Sequence, residues 1–166
     1  MKIYFAGPDI FRRDYPAVVA EIRGLCSGRG ITALVPEDDG LADAREIYRK
    51  NIGLIREADG VIANLDPFRG PAEPDSGTVF EVGFARALGK WVIVRLTDGR
   101  TYHEKLNGTP QGPQAPGSLC PDGTAVEDFG LPLNIMPYFA ADIIARTLAE
   151  AVEKAGPLND RHVPLA

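Results

Sequence analysis

The sequence predicts an α/β fold: a doubly wound, mostly parallel sheet of four to five strands with helices on both faces. Three observations lead there. Short apolar runs recur at residues 2–6, 31–35, 60–65 and 91–96, each of a length that suits a buried strand. Stretches with helical apolar spacing separate them, and Gly or Pro marks most of the boundaries. Strands that alternate with helices build βαβ units and a parallel sheet. Right-handed crossovers then favour the doubly wound arrangement, in the flavodoxin-like strand order.

Each element has its own signal. Residues 2–6 form the first strand, which Gly7-Pro8 breaks. Residues 15–29 form a helix through Val18, Val19, Ile22 and Leu25, ended by Gly28 and Gly30. Residues 31–35 form the second strand, closed by Pro36 and followed by an acidic turn, Glu37-Asp38-Asp39-Gly40. Asp43 caps a helix over residues 44–58 that buries Ile47, Ile52 and Ile55. The third strand, residues 60–65, leads through a Pro/Gly-rich loop to a helix that runs to Leu88 and stops at Gly89. Its cap is Asp75 or Ser76. Residues 91–96 are the fourth strand. The Gly- and Pro-rich stretch 97–132 has little periodicity, and Val126 and Phe129 anchor a short fifth strand or a turn there. Residues 137–154 read as one helix with Ile143, Ile144, Leu148 and Val152 on one face.

The 166 residues suit a single domain with a sizeable core, expected over 1–156, with 157–166 as a C-terminal tail. With 45% hydrophobic and 25% charged residues the chain reads as globular rather than disordered. A net charge of −5 argues against a nucleic-acid binder, which needs a basic stripe, but does not exclude a neutral nucleoside. Cys26 and Cys120 form neither metal spacing nor a disulfide framework, and His103 and His162 lie far apart. The N-terminal apolar run is too short for a leader or a membrane span, so a cytoplasmic address is the expectation. No Gly-x-Gly-x-x-Gly follows the first strand, which argues against a dinucleotide site.

The stretch from Asp59 to Lys90 carries the chemistry. Glu81 shares its helix face with Ala85 and Leu88 and has Phe80 and Val82 as neighbours. A carboxylate on an apolar stripe, near a helix start at a strand end, stands where open α/β sheets bind ligands. The helix N-terminus and the hydroxyls of Tyr4 or Thr78 are candidates to keep it ionised. Gly83 is read either as a place of close ligand or backbone approach or as a helix packing contact. Asp59 and Asp66 are read as turn residues flanking the third strand.

The pattern A-x-L-D-P-F-R-G-P-x-x-P-D-S-G-T-x-F-E-x-G-x-A-x-A-L-G-K over residues 63–90 resembles the signature of the nucleoside 2-deoxyribosyltransferases. Ile3-Tyr4-Phe5-Ala6-Gly7-Pro8 and Phe129-Gly130-Leu131-Pro132-Leu133-Asn134-Ile135-Met136 fit the same family. The resemblance implies transfer of 2-deoxyribose between nucleobases by double displacement through a covalent glycosyl-enzyme, with no cofactor and no metal. It makes Glu81 the nucleophile and places the Tyr4 phenol beside it. Asp75 then binds a sugar hydroxyl, the 5′ one, while keeping its capping role. Related 2-deoxynucleoside 5′-monophosphate hydrolases carry Ser at that place, where Asp75 would repel a phosphate. Gly77 joins the substrate-binding set, and Phe11 packs on the base. Asn51 stands where some members carry an Asp that helps protonate the base; an amide cannot, so water, Asp38 or base tautomerism replaces it. Asn134 and Met136 match residues that a neighbouring subunit supplies, which implies a homo-oligomer. The expected partners are deoxynucleosides and free nucleobases, with no nucleic acid and no membrane. Two alternatives stay open: an N-glycoside hydrolase of deoxynucleosides or their 5′-monophosphates, and a non-catalytic nucleotide-binding sensor.

Overall fold

The computed structural model describes residues 1–37, 40, 43–115 and 117–158. Five parallel strands form one sheet in the order β2-β1-β3-β4-β5: β1 (Lys2–Ala6), β2 (Thr32–Leu34), β3 (Gly60–Asn64), β4 (Trp91–Arg95) and β5 (Ile143–Ala145). β3 is buried along its whole length, as a central parallel strand must be. Side chains alternate between two cores. Ile3, Phe5 and Ile62 face α1 (Tyr15–Cys26) and α6 (Leu148–Ala155), which contribute Val19, Ile22, Cys26 and Val152. Tyr4, Val61 and Ala63 face the other layer, made by α2 (Ala44–Glu57), α3 (Ser76–Ala87) and α5 (Ile135–Ala140), which contribute Ile55, Val82 and Tyr138. Trp91 needs Gly60 beside it, because a Cβ at residue 60 would lie 2.0 Å from the indole.

The helix starts follow capping chemistry. Asp43 accepts from the Arg45 N–H and opens α2. Between the two candidates for α3, Asp75 is the cap and Ser76 is the first helical residue. The long stretch 97–132 holds a short helix, α4 (Tyr102–Leu106), started by a Thr101/Glu104 capping box. It is tied down by Tyr102 N–H to Leu131 O and by Lys105 Nζ to Pro132 O.

Expectations for the C-terminal part of the chain and for the end of α1 are corrected. Residues 137–154 are not one helix: α5 ends at Ala140, β5 intervenes, and Thr147 caps α6 by accepting from Glu150 N–H. Asp142 starts the new strand, giving its N–H to Val92 O and accepting Val92 N–H on its carboxylate. The open edge of β4 competes successfully for Ile143-Ile144, a β-branched pair that suits a strand. The fifth strand is therefore here and not at Val126–Phe129, where Phe129 is 67% exposed and no strand forms. Helix α1 stops at Cys26, three residues short of the expected end. The chain packs on through Gly156–Leu158, with Leu158 buried in the α1/α6 core. Asp38, Asp39 and residues 159–166 lie outside the described residues. No helix among the described residues is long and apolar enough to cross a membrane.

Candidate active site

In the order β2-β1-β3-β4-β5 the winding reverses beside β1, and ligands of such sheets bind at the carboxyl ends of the strands there. A cleft of about 460 Å³ occupies this place. Gly7 and Phe11 come to it from the end of β1, Pro36 and Glu37 from the end of β2, Lys50 and Asn51 from α2, and Asp75, Gly77, Thr78 and Glu81 from the start of α3. The volume suits a small molecule.

Glu81 sits in the second turn of α3. The Tyr4 phenol donates to its Oε1 at 2.7 Å. Tyr4 is 0% exposed and does not line the cleft, so it acts on the site from behind, through Glu81. Burial lifts the Glu81 carboxyl to about 7; the Tyr4 hydrogen bond works against that rise, and the Asp75 charge adds to it. The Tyr4 phenol is itself raised, by burial first and then by the Glu81 charge. Neither of the other two candidates keeps Glu81 ionised. The Thr78 hydroxyl donates to Asp75 Oδ2 at 2.8 Å instead. The unpaired N–H groups of the helix belong to its first turn, and Glu81 lies beyond them.

This burial has a consequence for stability. A carboxyl whose folded value lies near 7, above the ordinary 4.5, stabilises the fold fully below 4.5 and loses that contribution as pH rises through 7. Glu81→Gln keeps the acceptor for Tyr4 but cannot ionise. It is therefore expected to melt higher than the parent at pH 8, by ~2–3 kcal/mol, and the gain should fade towards pH 5. At about 2–4 °C per kcal/mol for a chain this size, scanning calorimetry at the two pH values reads it. Equal melting temperatures at pH 8 would contradict the burial cost.

Asp75 uses one oxygen for the helix: Oδ2 accepts the Thr78 N–H at 2.9 Å and the Thr78 hydroxyl. Oδ1 has no hydrogen bond among the described residues and is left to the cleft. Gly77 keeps the space beside it open, since a Cβ there would lie 3.1 Å from Asp75 Oδ2. Phe11 is 62% exposed at the rim, stacked on Phe68 at 5.5 Å with the Arg69 guanidinium 5.1 Å from its ring centre. Asn51 lines the α2 side.

The fold thus brings Glu81, Asp75, Gly77, Asn51 and Phe11 to one cleft, with Tyr4 behind them. Asn134 and Met136 are elsewhere. Asn134 caps α5 by accepting the Met136 N–H and donates to Glu127, and Met136 is 74% exposed. Gly83 makes no helix packing contact and does not line the cleft: it is exposed, and a Cβ there would meet nothing within 4 Å. Sequence reasoning missed Tyr15, Glu37 and Lys50. Tyr15 donates to Pro36 O at 2.5 Å, and burial pushes its phenol up to about 12. The available signals were the strand ends at Gly7 and Pro36 and the adjacency of Lys50 to Asn51. Among the described residues no group of three or more His, Cys, Asp or Glu is placed to hold a metal ion. The chemistry on offer is that of a partly desolvated carboxylate facing a small-molecule cleft, with a second carboxylate and amide donors around it.

Comparison with known proteins bears on this arrangement. The family model described as nucleoside 2-deoxyribosyltransferase matches residues 3–136. A 2-desoxiribosyltransferase from Leishmania mexicana superposes with a TM-score of 0.80 at 38% identity, covering 97% of this chain and 98% of that one. An uncharacterised protein of Schizosaccharomyces pombe is 32% identical over 113 residues, 63% of this chain and 54% of the relative, so the match spans about half of that relative's length.

Proposed function

The chain belongs to the nucleoside 2-deoxyribosyltransferase family, and from that premise we propose that it moves 2-deoxyribose from one nucleobase to another, with Glu81 as nucleophile. The observation that carries this reading is the Glu81 carboxylate: half-buried, hydrogen-bonded by Tyr4 from behind, and open to the cleft at the switch point of the sheet.

Each chemical step then falls to a residue. The deoxynucleoside lies with its sugar over α3 and its base towards Phe11 and Asn51. A Glu81 oxygen bonds to the anomeric carbon as the bond to the base nitrogen breaks, and the departing pair goes to the base, which takes up a proton from water. The sugar is cationic in the transition state, so the neighbouring carboxylate charge stabilises it. A second base then attacks the glycosyl ester from the opposite face, regenerates Glu81 and restores the configuration. Tyr4 aligns the carboxylate, and its hydrogen bond holds the value near neutrality rather than above it. The Asn51 amide orients the base but supplies no proton.

The deciding experiment incubates the protein with a deoxynucleoside and a different free base and separates the products by chromatography. The new deoxynucleoside is the expected product. Release of base with no new nucleoside would make the protein a hydrolase; ligand binding with no turnover would make it a sensor.

We also propose that the active form is a homo-oligomer in which Asn134 and Met136 complete a neighbour's cleft. Both lie outside their own cleft, and Met136 and Phe139, three residues apart on α5, are 74% and 72% exposed. Large apolar side chains this exposed mark a contact surface. Light scattering should show a species larger than the monomer. Phe139→Glu should dissociate it and lower activity by at least about tenfold, the effect of ~1.4 kcal/mol. A monomer with full activity would overturn the assignment.

A further inference from the structure

We propose that Asn64 is a positioning residue: it holds the Pro8–Phe11 turn, and with it the wall of the cleft that faces the base. The inference rests on the transferase reading for its kinetic effect but not for the structural link itself.

Asn64 is the last residue of β3 and is 8% exposed. Both ends of its amide are used. Nδ2 donates to Asp9 Oδ2 at 2.8 Å, and Oδ1 accepts the Asp66 N–H at 3.0 Å. Asp66 is fixed from the next strand, accepting from Thr97 N–H at 2.6 Å and from the Thr97 hydroxyl at 2.9 Å. The ends of β3 and β4 therefore form a platform, and Asn64 links it to the turn that follows β1.

A second observation points to the same residue. The chain at Gly7 is pressed against Asn64: a Cβ at residue 7 would lie 2.9 Å from Asn64 Cβ and 3.1 Å from Asp9 Oδ2. Gly7 and Phe11, at either end of the turn, both line the cleft. Packing and hydrogen bonding thus converge where a shift would move that wall. The other groups around Asp9 hold it less tightly. Arg95 Nη2 stands 3.6 Å from Asp9 Oδ2 and 3.6 Å from Asp66 Oδ2, beyond hydrogen-bond distance. Arg12 Nη1 is 4.0 Å from Asp9 Oδ1. Arg95 and Arg12 neutralise the carboxylates, while the Asn64 amide sets where Asp9 sits.

The residue type follows. An amide donates to Asp9 and accepts from Asp66 at once. A carboxylate at 64 would face the Asp9 carboxylate at hydrogen-bond distance and lose the donor. Exchanging the two, Asp9→Asn with Asn64→Asp, rebuilds the same hydrogen bond with donor and acceptor reversed and leaves the net charge unchanged.

The test compares wild type, Asn64→Ala, Asn64→Asp and the exchanged pair, with hydrogen–deuterium exchange over residues 8–12 alongside steady-state kinetics. Asn64→Asp is expected to raise KM by about tenfold with kcat changed by less than about threefold, the mark of lost ground-state positioning. Amide exchange in the turn should quicken in both single variants while β3 and β4 stay protected. The exchanged pair should return KM and turn protection to near wild-type values, which general destabilisation would not do. Unchanged KM and protection in folded Asn64→Ala, or no rescue in the exchanged pair, would overturn the proposal. If wild type shows no turnover, the transferase reading fails by itself, and the exchange data still decide whether Asn64 holds the turn.

Discussion

Glu81→Gln is expected to lower both base exchange and hydrolysis by at least about three orders of magnitude, ~4 kcal/mol of transition-state stabilisation. The amide keeps the shape of the side chain and still accepts the Tyr4 hydrogen bond, so the loss isolates the nucleophile. Glu81→Ala should be equally inactive while staying folded, because no salt bridge among the described residues depends on Glu81. In the parent, a carboxyl held at about 7 is half ionised at neutral pH. Attack needs the ionised form, so kcat/KM should fall by about tenfold per pH unit below that value. A 2-deoxy-2-fluoro-arabinosyl nucleoside should leave a slowly hydrolysed adduct, since fluorine at C2 disfavours the cationic transition state. Peptide mass mapping should place that adduct on Glu81. Labelling of another residue, or substantial transfer by Glu81→Gln, would falsify the mechanism.

The same burial that would make Glu81 useful makes it expensive. Its raised value means that ionising it opposes folding above neutral pH, so the reactive form is the less stable one. Tyr4 limits this cost. A phenol fully buried in β1 donates a hydrogen bond to the carboxylate and has no other acceptor among the described residues. This pairing joins residues 77 positions apart and is formed by the sheet, which sets β1 beside β3 and packs α3 over both.

What was legible in the sequence follows from this. Short apolar runs report strands buried on both faces and helical apolar spacing reports burial against one layer, so the first four strands and the helices between them were readable, and with them the switch point. The cap at Asp75 and the placing of Glu81 near the start of α3 are local and were readable too. Residues 137–154 were misread because Ile143, Ile144, Leu148 and Val152 fit one helical face equally well. What decides against a helix is the free edge of β4, which is a tertiary fact. The Thr101-x-x-Glu104 box was a local signal for α4 that went unused. Asn64 and Tyr15 had no local signal: their partners Asp9 and Pro36 are distant in sequence, and only the folded sheet brings them together.

Asp75→Ser is expected to relax the discrimination between deoxynucleosides and their 5′-monophosphates. Asp75 spends Oδ2 on the Thr78 N–H and hydroxyl and leaves Oδ1 to the cleft, where it can accept a sugar hydroxyl. A 5′-phosphate in the same place would bring a second negative charge to within about 4 Å. That costs roughly 1 to 4 kcal/mol between bulk-water and protein-surface screening, or about 5- to 1000-fold. Wild type should therefore prefer the unphosphorylated substrate by a factor in that range. Ser also caps helices, so the variant keeps the start of α3 and changes chiefly the charge. Its kcat/KM for the nucleoside should fall by about tenfold, from the lost charged hydrogen bond, while the ratio of monophosphate to nucleoside turnover rises. An independent readout accompanies this. The Asp75 charge helps to raise the Glu81 carboxyl, so its removal should move the acid limb of the pH profile to lower pH. Wild-type turnover of monophosphates at least as fast as of nucleosides would remove Asp75 from the sugar site. A displaced acid limb in Asp75→Ser would still show that the two carboxylates share one cleft.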